Sequence, residues 1–176
     1  MRPPPEMIEQ VQPMIPSLRR YARGLLRDAE DADDLVQDVF ERVLGRWHLR
    51  QAGSLRPWIF SILHNLAMDR LRQRARRGSA ATLESVPESQ LAVSASQEGQ
   101  VEQRDILGLV QSMPEEHRSI LLLIGVEELS YAEAAEVLRV PQGTVMSRLS
   151  RARERLRRMV EEGASAEGRP SLRIVS

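Results

Sequence analysis

Residues 129–158 read LSYAEAAEVLRVPQGTVMSRLSRARERLRR. Ser130 and Glu133, three residues apart, form a capping box, which satisfies free N–H groups at the start of a helix. Pro141 cannot continue that first helix and suits a turn. A short helix, a tight turn and a longer basic helix follow one another in the unit that places its second helix in the major groove of DNA. The stretch therefore predicts a helix-turn-helix and a nucleic-acid partner.

The second helix of this unit has two distinct faces. Apolar residues recur at steps of three and four, which predicts one buried stripe: Val145, Leu149, Ala152, Leu156 and Met159. A second face offers hydroxyls and guanidinium groups, which bond base edges and phosphates: Thr144, Ser147, Arg148, Arg151 and Arg155. The alternative is a solvated basic helix with no role on DNA. The capped helix and the turn before it favour the DNA-binding interpretation.

The composition narrows the classes of protein. The chain has 176 residues, 25 basic and 25 acidic, and no cysteine, so it has neither a disulfide framework nor a thiolate metal site. The three histidines, at positions 48, 64 and 117, lack a metal-ligand spacing, and we expect no metal or cofactor. The apolar runs are too short to span a bilayer and the start is not a signal peptide. These features predict a soluble protein of a reducing compartment.

The N-terminal half shows only helical periodicity. We expect a loose, proline-rich tip over residues 1–16 and a helical domain over residues 17–77. Its second helix is acidic and ends near Gly45; one face carries Asp34, Gln37, Asp38 and Glu41. A loop is expected over residues 47–53. A third helix then ends in the basic run RLRQRARR at residues 70–77.

The remainder predicts a second helical unit. Residues 78–100 lack a sustained period and suggest a flexible linker. Helical periodicity returns over residues 101–162, where the segment 115–126 is nearly apolar all round and should be the central helix. Residues 163–176 suggest a disordered tail. The fold class is therefore all-α, with two small helical domains joined by a flexible linker and the helix-turn-helix in the second.

Three stretches together resemble a known family, the extracytoplasmic-function (ECF) sigma factors, a compact branch of the bacterial housekeeping-type sigma superfamily. DADDLVQDVF at residues 31–40 is similar to the family's core-polymerase-binding helix. WIFSILHNLAMDRLR at residues 58–72 resembles its promoter-melting helix, and residues 129–155 resemble its −35-reading helix-turn-helix. The order and spacing match, over about residues 17–160. One departure is Arg139, because glycine is frequent at this turn, where φ can be positive.

The resemblance implies a factor that binds core RNA polymerase and directs initiation at promoters with −35 and −10 elements. The first domain, sigma-two-like, would dock on the β′ clamp helices and the second, sigma-four-like, on the β flap. The exposed set Asp34, Gln37, Asp38 and Glu41 would contact polymerase; a solvated acidic face is the alternative. An anti-sigma factor acting in a stress response is expected in the cytoplasm, and the apolar faces of the acidic helix and of the 115–126 helix are candidate docking places for it.

The resemblance also implies which residues contact each promoter element. The −10 element would meet Asn65, near an extruded base, and a basic track represented by Arg70, Arg72 and Arg76. The −35 element would meet Thr144, Met146, Ser147, Arg148, Ser150, Arg151 and Arg155. Trp58 is interpreted as a core residue rather than a stacking platform.

Two other functions fit parts of the chain. An autonomous helix-turn-helix regulator would need a dimer interface or a sensor domain, and the front half resembles neither. An RNA-binding helical adaptor would prefer structured RNA to promoter DNA. A catalytic role is disfavoured because the sequence has no nucleophile–base pair, phosphate loop or metal constellation.

Overall fold

A computed structural model describes residues 4–49, 54–80 and 106–167. Within these ranges every regular element is helical, which confirms the all-α prediction. The first half contains α1 (Pro5–Val11), a 3₁₀ turn (Gln12–Met14), α2 (Ile15–Leu26), α3 (Ala29–Arg46), a second 3₁₀ turn (Trp47–Leu49) and α4 (Leu55–Ala80). The second half contains α5 (106–112), α6 (Glu115–Leu121), a π-helical turn (Leu122–Val126), α7 (Tyr131–Leu138) and α8 (Gln142–Glu167).

Helices α2, α3 and α4 pack around the apolar stripes that the periodicity predicts. Leu18, Tyr21 and Leu25 of α2 are fully buried, as are Leu35 and Val39 of α3. Asp28 caps α3, because its carboxylate accepts the Asp31 N–H at 2.8 Å. The acidic helix is therefore held by a local start signal and by one apolar face, while its acidic face stays outside.

Four segments expected to be irregular are helical at least in part. The tip expected to be loose holds α1, because Met7 and Val11, one turn apart, bury their side chains in the core. Residues 47–49, expected in a loop, form a 3₁₀ turn after α3. Helix α8 continues beyond residue 162 to Glu167. The linker expected over residues 78–100 is helical to Ala80, and its remainder lies outside the described ranges.

The second half is built around α6. Ile120, Leu122 and Leu123 are buried, which confirms the prediction of an apolar central helix. The helix widens into a π-helical turn, and Glu127, just after it, donates its N–H to the Leu122 carbonyl at 2.9 Å. The widened turn brings Glu127 inward, and this residue is only 1 % exposed.

The two halves contact each other directly. Helix α2 packs on α6 and on the π-helical turn, while α4 packs on α7. Arg20 of α2 forms a two-pronged ion pair with Glu127, with Nε–Oε1 and Nη2–Oε2 both at 2.8 Å. Arg56 of α4 donates to the Glu127 carbonyl oxygen at 2.5 Å. One buried acidic residue of the second half is thus bound by two helices of the first.

A glycine allows a close approach between the two halves. A Cβ atom built on Gly24 of α2 would lie 2.6 Å from Leu122 Cδ1 and 2.9 Å from Cδ2. Real Cβ atoms do not come so close, and Leu122 is only 2 % exposed and has little room to move. The two halves therefore meet at this distance because position 24 carries no side chain.

We expect Gly24→Ala to lower the free energy of unfolding by about 1–3 kcal/mol, because overpacking at the Leu122 contact outweighs the gain in helix propensity. Gly45→Ala is the matched control, since nothing lies within 4 Å of a Cβ at that helical position. It should raise stability by about 0.5–1 kcal/mol. Urea unfolding of both variants checks the opposite signs; two stabilised variants would contradict the close contact.

Candidate nucleic-acid and partner interfaces

Helix α8 separates its apolar stripe from its polar face as expected. Val145, Leu149 and Ala152 are buried against the second half, while Leu156 and Met159 are partly buried. The side predicted to read DNA faces outward: Met146 is 53 % exposed, and four further predicted residues are also exposed, namely Ser147, Ser150, Arg151 and Arg155. The helix therefore presents hydroxyl and guanidinium groups on a surface that a DNA groove can reach.

The remaining two predicted residues of this face are half-buried. Thr144 accepts a hydrogen bond from the Ser147 hydroxyl at 3.1 Å through its carbonyl oxygen. Arg148 lies beside Glu116 of α6, with Nε 3.5 Å from Oε2. This exposed carboxylate restrains the Arg148 side chain, and a base edge would have to compete with it for the guanidinium.

The turn before α8 has the geometry that the sequence suggests. The capping box is formed: the Glu133 N–H donates to the Ser130 hydroxyl at 3.2 Å, and the Ser130 N–H donates to the Glu133 carboxylate at 2.9 Å. The Ser130 hydroxyl also donates to the Glu133 carboxylate, at 2.8 Å, and the two bonds that this carboxylate accepts from Ser130 lower the pKa of Glu133. After α7, Arg139 adopts φ 53° and ψ 46°, the left-handed conformation usual for glycine at this place. The turn keeps its standard shape at the cost of some backbone strain.

The acidic face of α3 is a second exposed surface. Asp34, Gln37 and Glu41 are exposed, and Asp38 beside them is 48 % exposed at its side chain. All four lie on one side of the helix, at steps of three and four residues. The structure therefore brings the predicted polymerase-contacting set together on one surface.

Ion pairs join the basic end of α4 to α3. The sequence analysis did not predict these pairs. Arg70 donates through Nη1 to the Asp31 carboxylate at 2.6 Å and through Nη2 to the Asp38 carboxylate at 2.5 Å. Arg74 binds the other carboxylate oxygen of Asp31. Arg70, predicted to contact DNA, is only 22 % exposed at its side chain and holds two helices together.

The other predicted −10 residues keep more freedom. Arg72 is exposed and pairs with Asp69 one turn before it, at 2.5 Å. Arg76 is exposed, and Asn65 is half-buried on the same helix. Trp58 packs against the core as a partly buried residue, which agrees with its interpretation as a core residue.

A Tyr–His pair lies next to Asn65, with His64 half-buried. The Tyr21 hydroxyl is 3.0 Å from Nδ1 of His64, and Tyr21 itself is fully buried against Phe60. Burial lowers the pKa of His64 to about 4, with a smaller effect from the charge of Arg72. At neutral pH the imidazole is therefore uncharged in the folded protein.

We expect this pair to make the fold sensitive to mild acid. Unfolded histidine gains its proton near pH 6.5, whereas folded His64 stays neutral until about pH 4. The free energy of unfolding should therefore fall by about 2 kcal/mol between pH 7 and pH 5, because only the unfolded chain binds the proton there.

Denaturation at several pH values checks this expectation. His64→Gln should remove most of the decline between pH 7 and pH 5, whereas the exposed control His48→Gln should keep it. Parallel pH profiles for His64→Gln and the unsubstituted chain would show that this imidazole is not the cause.

The two apolar faces expected to receive a regulator are not surfaces in this structure. The apolar face of α3 is buried against its neighbours, with Leu35, Val39 and Val43 fully covered. That of α6 forms the core of the second half. Each face is already occupied because it is the one that its helix uses to pack.

No helix in the described ranges is long and apolar enough to cross a bilayer.

In comparisons with known proteins, each half of the chain matches a family model. Residues 8–77 match the Sigma-70 region 2 model and residues 103–156 the Sigma-70 region 4 model. The chain is 36 % identical over 146 residues to the ECF RNA polymerase sigma factor EcfG of Rhodopseudomonas palustris, covering 81 % of this chain and 78 % of that protein. It is 28 % identical to SigM, an ECF RNA polymerase sigma factor of Bacillus subtilis, over 84 % and 91 % of the two chains.

A solved structure agrees with the same assignment. The sigma factor RpoE of Bartonella quintana, solved in complex with the anti-sigma factor NepR, superposes with a TM-score of 0.77. The two sequences are 28 % identical, and the match covers 89 % of this chain and 97 % of the other.

Proposed function

Because the chain belongs to the ECF RNA polymerase sigma factors, we propose a division of labour between its halves. Residues 17–77 bind core polymerase through the acidic face of α3, namely Asp34, Gln37, Asp38 and Glu41. The same half contacts the −10 element through Asn65, Arg70, Arg72 and Arg76. Residues 101–162 read the −35 element through the exposed face of α8. The factor is not an enzyme in this proposal; it positions polymerase in the cytoplasm, and polymerase carries out the chemistry.

One observation supports this division most strongly. Helix α8 buries its apolar stripe yet leaves Met146, Ser147 and Arg151 exposed, while α3 leaves its acidic face exposed elsewhere on the molecule. Opposite charges on separate helices suit a phosphate-rich duplex on one side and a basic protein surface on the other. An autonomous helix-turn-helix regulator would not account for the match of the whole front half to Sigma-70 region 2.

The contact between the halves has to open for both promoter elements to be read together. Elements centred at −35 and −10 lie about 25 base pairs apart, which is roughly 85 Å at about 3.4 Å per base pair. A compact chain of this length has a radius of gyration of only about 16 Å. The closed arrangement therefore reaches one element at a time.

The chain is long enough for the halves to separate. Residues 81–105 connect α4 to the second half, and 25 residues at full extension reach about 80 Å. We expect core polymerase to supply the free energy of opening, because it binds both halves at separate places. In the free factor the Arg20–Glu127 pair favours the closed arrangement.

We also propose control by an anti-sigma factor. The support is the likeness over nearly the whole chain to the Bartonella sigma factor, which was solved with NepR bound. Since the apolar faces of α3 and α6 are occupied in the closed arrangement, an anti-sigma factor has to use other surfaces or the surfaces that opening uncovers. A role in a stress response fits the family but depends on the regulator.

The decisive experiment adds the full chain to sigma-free core polymerase and maps transcription start sites and their upstream sequence. We expect Gln37→Ala to weaken binding to core polymerase while leaving the selected promoter sequence unchanged. Arg151→Ala should keep the affinity for core polymerase and reduce discrimination at one −35 base by about 1–3 kcal/mol.

Arg158→Ala serves as the control for charge on α8, because this exposed arginine lies outside the predicted reading set. It should weaken binding to all promoter sequences equally. It should also reduce the slope of log K against log salt by the amount expected for the loss of one phosphate contact. Absence of start-site selection by the unsubstituted chain would contradict the proposed function.

A further inference from the structure

The Asp38–Arg70 ion pair joins the two surfaces that the proposed function assigns to polymerase and to the −10 element. Asp38 belongs to the acidic face of α3, and Arg70 belongs to the basic end of α4. The Nη2–Oδ2 distance is 2.5 Å, and Asp38 remains 48 % exposed. A group that binds Asp38 from outside therefore competes with Arg70 for the same carboxylate.

The geometry points to an exchange at this pair: polymerase takes over Asp38 and releases one edge of the Arg70 guanidinium for promoter phosphate. The inference rests on the proposed docking of polymerase on α3. Before docking, Asp31 and Asp38 neutralise the charge of Arg70, which therefore adds little to DNA binding. After docking, its freed N–H groups gain a partner only if melted DNA is present.

The bonds of Asp31 explain how Arg70 could release Asp38 without α4 leaving α3. Asp31 binds Arg70 through one carboxylate oxygen and Arg74 through the other, and its carbonyl oxygen accepts a further bond from Arg70 Nη1 at 2.8 Å. Its side chain is only 23 % exposed. The Asp31 contacts anchor the helices, whereas the more exposed Asp38 contact involves only Nη2, the edge that can be exchanged.

Space for both incoming groups exists beside the pair. A cavity of about 350 Å³ lies open there, and its lining includes Asp38, Leu66, Arg70, Arg72 and Arg76. The cavity adjoins two further arginines of the predicted −10 track, so a phosphate bound to them lies within reach of a released Arg70. A basic side chain of polymerase can approach Asp38 from the side of Glu41, which lines a second cavity of about 400 Å³ together with Asp38.

The test compares Arg70→Gln with Arg74→Gln in binding to core polymerase. Both variants lose a bond to Asp31, but only Arg70→Gln removes the internal competitor for Asp38. Arg70→Gln should therefore bind core polymerase about two- to fivefold more tightly than Arg74→Gln, the range expected for a partly exposed pair. The difference should vanish when both variants also carry Asp38→Asn.

A second measurement follows the DNA end of the exchange. In holoenzyme saturated with core polymerase, Arg70→Gln should reduce the slope of log K against log salt for a −10 single strand by about 0.7. Asp38→Asn should leave that slope unchanged, because polymerase already occupies Asp38 in the unsubstituted holoenzyme. A steeper slope for Asp38→Asn, or an unchanged slope for Arg70→Gln, would overturn the exchange, because either result means that Asp38 still neutralises Arg70 in the holoenzyme.

Other outcomes separate the inference from its premise. Arg70→Gln binding polymerase no more tightly than Arg74→Gln would overturn the exchange while leaving the proposed function intact. Failure of the unsubstituted chain to bind core polymerase would overturn the proposed function itself. If Arg70→Gln does not fold, Arg70→Met replaces it: methionine keeps an apolar stem of similar length but carries no charge to compete for Asp38 or to contact phosphate, so the same direction of change is required in both measurements.

Discussion

The buried carboxylate of Glu127 is the constraint on which the arrangement of the two halves depends. Its side chain has no exposed surface, and an ionised group in such a place needs a charged partner and satisfied hydrogen bonds. Arg20 supplies both bonds to the carboxylate from the other half of the molecule. The π-helical turn before it gives the chain the extra width that places Glu127 at the junction.

This ion pair suits a contact that must open. Arg20 is about half exposed, and water can solvate both charges once the halves part. The net stabilisation from such a pair is small compared with its electrostatic attraction, because the desolvation penalty offsets much of it. The pair therefore specifies one closed arrangement without making it permanent, and polymerase has to bind the open arrangement more tightly than the closed one.

Much of the fold could be predicted because the relevant signals are local. The stripes of α2, α3 and α8, the capping box at Ser130 and the left-handed position at Arg139 all follow from residues within a few positions of one another. The misses are of another kind. Helix α1 forms because Met7 and Val11 find a core built by other helices, and the Arg20–Glu127 pair joins residues 107 positions apart. No local pattern contains such a contact.

The candidate sites divide in the same way. The sequence could place the outer face of α8 and the acidic face of α3, since each depends on one helix and its buried stripe. It could not show that Arg70 is bound within the molecule, because Asp31 and Asp38 lie on a different helix, more than thirty positions away. Sequence periodicity predicts which side of a helix is polar, but not which polar group already has a partner.

The most direct test measures the distance between the halves in solution. The chain has no native cysteine, so Glu30→Cys on α3 and Arg153→Cys on α8 can carry a pair of fluorescent or spin labels. The account predicts one short distance in the free factor, a longer one with core polymerase, and a partial shift to the longer one in Glu127→Gln but not in the exposed control Glu136→Gln. A distance unchanged by polymerase and by Glu127→Gln would contradict it.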